Sequence, residues 1–381
     1  MTTVMNGPAY PRGHLAAQKV HEYFSRYREQ LPNTSRECIA SVPCADVIEA
    51  VIDAAFWASL RRQEGYMPRL SLAILDPEQA RQPLWVANGF PLTPDSLAKV
   101  SPAGVRPGLH IAVSRCRDEL RVWGTVRSLP VGCCVIEIVA PGLLVIKQYA
   151  QKQSTKFVNI AVLEGEQMKL VSHNASVSAD CPPLVSSLLG LVSRSLFEST
   201  EVLVELAVSM RAHQRGGALL VVPNDGDLWR ESIVHPIPYG VIPRFAELGE
   251  LIHERHTRLG GPWETELGDA VDMIAGLTAV DGATVITDQY ELIAFGAKIA
   301  RRDGHARVDQ VRLTEPIDGT APTVVHPTQL GGTRHLSAMQ FVHDQRNALA
   351  LVASQDGRFT VFSWASCDGM VHAHRVEALL L

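Results

Sequence analysis

The apolar positions of this chain change period more than once, and each change marks a different kind of element. Over residues 14–29 they fall at helical steps, with Leu15, Val20, Tyr23 and Phe24 on one side. Over 44–62 the pattern sharpens, as Val47, Ile48, Val51, Ile52, Ala55, Phe56 and Leu60 recur three or four residues apart. From residue 69 to about 173 the chain breaks into short runs suited to strands: 70–75, 110–114, 119–124, 134–139, 142–147, 157–162 and 168–172, with Pro, Gly and Asp between several of them. Glu164-Gly165-Glu166-Gln167 separates two alternating runs and predicts a hairpin turn. These elements predict an N-terminal α+β domain with a mostly antiparallel sheet over residues 1–180.

A second pattern occupies residues 181–381. Helical periodicity over 184–211 stops at Gly216-Gly217, and 217–222 is almost wholly apolar, as in a central strand buried on both faces. Helices are predicted from about 244 to 259 and from about 264 to 277. A hairpin follows, with strands at 283–286 and 292–299 around a turn at 287–290. A helix over 333–346, with His335, Ala338, Phe341 and Val342 on one side, leads to strands at 347–353 and 359–364. Helices and strands intermix here, so the expected fold is α/β with a mixed central sheet.

Composition narrows the class. The chain has 381 residues, 46% hydrophobic and 20% charged, enough apolar material for two folded domains. A net charge of −5 provides no broad basic field for nucleic acid, while leaving room for a local phosphate pocket. Seven cysteines, an odd number with no Cys-x-x-Cys pair, read as buried apolar side chains in a reducing compartment. The start of the chain lacks a basic stretch followed by an apolar run. The most apolar window, 133–146, is interrupted by Glu137, Pro141 and Gly142, so neither a secretion signal nor a membrane span is expected. These features together predict a cytoplasmic protein.

Two short motifs carry candidate chemistry. Asp281-Gly282-Ala283 stands where a helix gives way to a buried strand: the Asp can hold a cation, and the Gly admits a close ligand. Gly331-Gly332-Thr333-Arg334-His335 opens a helix. It offers free backbone N–H groups, the positive end of the helix dipole, a hydroxyl and a guanidinium that can fork onto phosphate oxygens. Taken singly, Asp-Gly is commonly a plain turn and Gly-Gly-Thr a loop with a helix cap. His253 with His256, and His372 with His374, lack further ligands at zinc spacing. Ser337 has no nucleophile elbow around it, and Arg301-Arg302 reads as a solvated charge pair or, alternatively, a phosphate or partner contact. No Walker A motif and no Gly-x-Gly-x-x-Gly is present.

In order, GALLVV (217–222), DGATVITDQYELIAFGAKI (281–299), GGTRHLSAMQFV (331–342) and NALALVASQDGRFTVF (347–362) resemble the diadenylate cyclase domain over about 150 residues. The pattern is similar to a divergent, sensor-type branch of that family, DACNV-like, which attaches the domain after a variable N-terminal region. The resemblance implies that Asp281 sits at the metal and ribose-phosphate end of a nucleotide pocket lined by Gly282 and Ala283. It implies that Gly332, Thr333, Arg334 and His335 grip phosphates, that Ile299 packs on adenine, and that Ser354 faces the phosphates. It also implies Mg or Mn with the nucleotide if the domain is active, with Asp281 as the metal-binding and catalytic carboxylate. The expected ligand is an adenine nucleotide or cyclic dinucleotide, and a homodimer is implied if two ATP sites must face each other.

Two departures favour binding over turnover. The last Arg of the family's Arg-His-Arg motif is Leu336, and the Ser-Glu-Glu of some members is Ser354-Gln355-Asp356. Losing a guanidinium from a phosphoryl-transfer site can cost on the order of a hundredfold in rate. The sequence therefore predicts a nucleotide or cyclic-dinucleotide sensor whose N-terminal domain transmits occupancy or binds a protein partner. The alternatives are an active diadenylate cyclase making cyclic di-AMP from two ATP, and an interaction protein with a decayed pocket.

Overall fold

The computed structural model describes residues 9–30, 39–62, 64–104, 108–117, 119–150, 157–172, 182, 185, 197–254 and 261–381. The chain divides into two compact units, with the boundary between Val171 and Ser172.

The first unit opens with helices α1 (Gly13–Glu29) and α2 (Ala45–Ser59), which pack on each other. Val47, Ile48, Val51, Ile52 and Ala55 of α2 are buried in a core shared with Leu72, Ile136, Ile138, Leu144 and Ile146. Those partners belong to an eight-stranded sheet. Its strands are β1 (Leu70–Ile74), β2 (Leu84–Pro91), β3 (His110–Cys116), β4 (Glu119–Val126), β5 (Cys134–Ala140), β6 (Leu143–Tyr149), β7 (Phe157–Glu164) and β8 (Gln167–Leu170). They lie in the order β2-β4-β3-β1-β5-β6-β7-β8. Only β1 and β3 run parallel; every other neighbouring pair is antiparallel. The turn at 164–167 closes the β7–β8 hairpin, with Leu163 opposite Met168.

Two elements of this unit are absent from the sequence expectation. Strand β2 is an edge strand whose residues are mostly exposed, so no apolar alternation marks it. Helix α3 (Pro94–Gly104) carries Pro102 in its interior. Its start is nevertheless a capping box: Ser96 N–H donates to Thr93 Oγ1 at 3.1 Å and Thr93 N–H donates to Ser96 Oγ at 3.0 Å, with Pro94 in the first helical position.

The second unit is a nine-stranded mixed sheet between helices. Its elements in chain order are α4 (Phe197–Ala212), β9 (Gly217–Val222), β10 (Tyr239–Phe245), α5 (Glu247–Glu254), α6 (Gly261–Leu277), β11 (Ala283–Thr287), β12 (Leu292–Ala297), β13 (Val311–Thr314), β14 (Thr323–Val325), α7 (Thr333–Asp344), β15 (Leu349–Ala353), β16 (Phe359–Ala365) and β17 (Met370–Arg375). The strand order is β10-β12-β11-β9-β15-β16-β17-β13-β14. Pairs β9–β11 and β13–β17 are parallel, the others antiparallel.

Every residue of β9 is buried, and its alternation assigns the two faces. Leu219 and Val221 join Leu206 and Met210 of α4, Leu248 of α5 and Leu267, Val271 and Ile274 of α6. Ala218, Leu220 and Val222 join Ala338, Met339, Phe341 and Val342 of α7 on the opposite face. The unit is therefore three-layered, with α7 alone among its described helices covering the second face. Part of the helix expected over 184–211 and part of that expected over 244–259 fall outside the described residues. The start of the latter is corrected: Arg244 lies in strand β10, and α5 begins at Glu247. Pro243 explains the difference, because proline biases Ile242 away from the helical region. Arg244 itself reaches from the strand to Asn224 Oδ1 at 2.6 Å and Glu291 Oε2 at 3.0 Å.

Candidate functional site

The four central strands β12, β11, β9 and β15 each present an alanine at the same end of the sheet. Ala283 begins β11 opposite Ala297 at the end of β12, while Ala218 and Ala353 occupy neighbouring positions of the β9–β15 pair. All four are buried. A side chain no larger than a methyl group on four adjacent strands leaves space that leucine or valine would fill. That space is a cavity of about 590 Å³, within the range of small-molecule sites.

The segments that leave these strand ends supply the walls. Asp281 and Gly282 lead into β11, Lys298 and Ile299 follow β12, and Ser354 and Gln355 follow β15. Gly332, Thr333, Arg334, His335 and Ser337 come from the start of α7. The structure thus brings all nine sequence-selected residues, Asp281, Gly282, Ala283, Ile299, Gly332, Thr333, Arg334, His335 and Ser354, to one cavity.

Two glycines make the approach of these segments possible. Gly282 has φ +113°, and a Cβ there would meet the carbonyl carbon of Gly296 at 2.4 Å. Gly216 has φ +71°, and a Cβ there would come to 3.0 Å from a terminal nitrogen of Arg334, so the guanidinium lies over bare backbone.

The cavity is electrostatically biased toward anions. Gly332 is the N-cap of α7 and brings no side-chain acceptor, so the N–H groups of the first turn have no intrahelical partner. Arg334 and Lys298 add two cations, and Thr333, Ser337 and Ser354 add hydroxyls. Asp281 is the only carboxylate among the lining residues, and it is ion-paired with Lys298. The hydrogen bond from Lys298 and then its charge hold the Asp281 carboxyl below its usual range, with the Arg334 guanidinium contributing further. His335 is buried against the edge of Phe362, with ring centroids 6.0 Å apart. Its Nε2 finds no hydrogen-bond partner among the described residues, and burial lowers its pKa, which favours the neutral imidazole. Near Gln355, Asp356 is held low chiefly by a hydrogen bond from Ser354.

Asp281 is the one carboxylate of this cavity and belongs to no cluster of three metal-ligating groups among the described residues, so a divalent ion here would be held jointly by Asp281 and the phosphates of a nucleotide. Leu336 follows His335 in the first turn of α7. It does not line the cavity but packs, half-buried, against the apolar cluster beneath α7.

Sequence reasoning missed Lys298 and the alanine floor. Lys298 stands beside Ile299 in the same run, and the alanines at strand ends were visible as letters, but only the sheet order brings them together. His372 and His374 lie on β17, an unpredicted strand, bound to Asp368 Oδ2 at 2.7 Å and Thr314 Oγ1 at 2.7 Å. His253 Nδ1 is 2.7 Å from Gly249 O within its own helix, and His256 lies outside the described residues.

Two comparisons with known proteins found a similarity. Residues 37–127 match a family model described as the probable sensor domain DACNV. That match covers the first unit from before α2 to just past β4, where the sequence had suggested no resemblance. Among solved structures, a double mutant of DacA from Staphylococcus aureus is similar at 13% identity, with a TM-score of 0.25, over 48% of this chain and 89% of that one. No curated protein matches. No described helix is long and apolar enough to cross a membrane.

Proposed function

We propose that the second unit binds an adenine nucleotide or cyclic dinucleotide in the alanine-floored cavity, and that the protein works as a sensor without efficient catalysis. The observation that carries this reading is the convergence of Asp281-Gly282-Ala283 and Gly332–His335 on one cavity of about 590 Å³. The chemistry of the walls matches a phosphate-bearing ligand: a helix N-terminus, a guanidinium, an ammonium and three hydroxyls surround a small apolar floor. The sensor-domain match over residues 37–127 supports a signalling role, and in this reading the first unit transmits occupancy or engages a protein partner. The alternative, a diadenylate cyclase joining two ATP with Mg or Mn in a homodimer, draws on the same motifs. The single carboxylate of the cavity and the apolar packing of Leu336 weigh against it, since phosphoryl transfer depends on positioned charge and metal.

Calorimetry with ATP, AMP, cyclic di-AMP and cyclic di-GMP, repeated on Arg334→Ala, tests the binding site. Tight binding by the wild type and a large loss in the variant are expected; equal binding by both would remove the site assignment. Incubation with ATP and manganese, read by mass spectrometry, separates sensor from enzyme. Multiple-turnover formation of a cyclic dinucleotide would overturn the sensor reading.

A further inference from the structure

Away from the alanine-floored cavity, the loop after β12 and the last turn of α7 bring His305, His343 and Asp344 together. One ligand atom from each lies within 4.8 Å of the others, the sole such group among the described residues. His305 Nδ1 is 3.2 Å and His343 Nδ1 3.0 Å from the same oxygen, Oδ1 of Asp344. Backbone geometry holds the group in place. His305 N–H donates to Arg302 O at 3.1 Å, closing a turn around the carboxylate, and Arg302 N–H donates to Asp344 Oδ2 at 2.9 Å. The Asp344 side chain is fully buried, whereas the two imidazoles keep partial solvent access.

Gln340 Nε2 also donates to Asp344 Oδ1, at 2.9 Å, so one amide and two imidazole nitrogens crowd a single carboxylate oxygen. One divalent ion bonded to Oδ1 and to both Nδ1 atoms would replace the two imidazole protons and leave the other acceptor site to Gln340. The spacing suits this. Zinc bonds of about 2.0–2.1 Å in a tetrahedron put neighbouring ligand atoms about 3.3 Å apart; the two nitrogen–oxygen distances here are 3.2 and 3.0 Å, and one ligand atom of each residue lies within 4.8 Å of the others. A second cavity of about 340 Å³, lined in part by His305, Asp344, Arg302 and Arg346, leaves room for water or an anion as a fourth ligand.

We infer that His305, His343 and Asp344 form a binding site for one divalent transition-metal ion of the zinc class. Two imidazoles and one carboxylate suit zinc, cobalt or iron over magnesium or calcium. The site is independent of nucleotide binding in the other cavity.

The test uses the full chain, free of any histidine tag and stripped with chelator, titrated with Zn²⁺ by calorimetry and with Co²⁺ by visible absorption. One ion per chain is expected, with cobalt ligand-field bands and no thiolate charge-transfer band. His305→Gln and His343→Gln should each weaken binding by at least about tenfold. Both imidazoles are partly exposed, so these variants are preferred over changes at buried Asp344. If a variant does not fold, the wild-type cobalt spectrum decides. Absence of binding at about 100 µM metal, a thiolate band, or unchanged affinity in both folded variants would overturn the assignment.

Discussion

Lys298 Nζ sits against Oδ2 of Asp281, so the one carboxylate lining the main cavity is neutralised by a residue of the same wall. This pairing sets opposite expectations for the two charged positions of the site. Arg334→Ala removes a charge-assisted donor to the phosphates, an interaction worth about 1.5–3 kcal/mol, and should weaken nucleotide binding roughly tenfold to a hundredfold. Asp281→Asn removes a negative charge and frees Lys298. Its affinity should stay within about threefold of wild type or improve, because an exposed ion pair contributes little. Calorimetry of both variants against the best-binding nucleotide checks the pair of predictions. A tenfold loss in Asp281→Asn would show that the carboxylate itself holds metal or ribose.

The two glycines of the motifs should separate folding from binding. At Gly282 an added Cβ meets backbone at 2.4 Å in a left-handed conformation, so Gly282→Ala should destabilise the protein by at least about 2 kcal/mol in urea unfolding. At Gly332 a Cβ meets nothing within 4 Å and φ is −81°. Gly332→Ala should therefore cost no more than about 1 kcal/mol as a changed N-cap, while weakening nucleotide binding by crowding the helix mouth. If Gly282→Ala melts like wild type, the tight crossing of 282 over Gly296 is wrong.

How much of this was legible follows from where burial is one-sided or complete. Strand β9 is apolar throughout because both faces are covered, and α7 shows its apolar stripe because it covers one face alone. Strands β2 and β10 were lost for the opposite reason: they are sheet edges, mostly exposed, and their sequences follow no inward alternation. Strand β17 hides behind two buried histidines, which read as polar in a sequence and sit in the core in the fold. The site motifs were readable because backbone demands, glycine at a crossing and a helix mouth without a capping side chain, leave letters in the chain. Lys298 left none, since a lysine after a strand is ordinarily solvated.

The second unit should lose stability in acid. His374 is buried beside His372, and desolvation, followed by that neighbour's charge, lowers its pKa to about 4 from an ordinary value of 6.5. A depressed histidine leaves the folded state binding fewer protons than the unfolded chain. Its contribution is thus intact above about pH 6.5, falls as pH drops from there, and levels off below about pH 4. His335 and His213 are lowered by burial as well and act with the same sign. Between pH 7 and pH 5 the His374 term alone amounts to about 2 kcal/mol. Urea unfolding at the two pH values should show the loss, and His374→Phe should flatten the slope even if it lowers stability overall. An unchanged slope in that variant would move the cause elsewhere.

On the proposed reading, placing a guanidinium at position 336 should not by itself produce turnover. Leu336 packs against the apolar cluster beneath α7, so Leu336→Arg gives up that contact and should cost about 1–3 kcal/mol of stability. Asp281 remains the only carboxylate lining the cavity in the variant, so metal-assisted transfer still has a single protein carboxylate to draw on. Wild type and Leu336→Arg, each incubated with ATP and manganese, should both yield less than one cyclic dinucleotide per chain by mass spectrometry. Turnover by the variant alone would mean that a single guanidinium separates sensor from cyclase in this cavity, and that the Lys298–Asp281 pair opens when substrate binds.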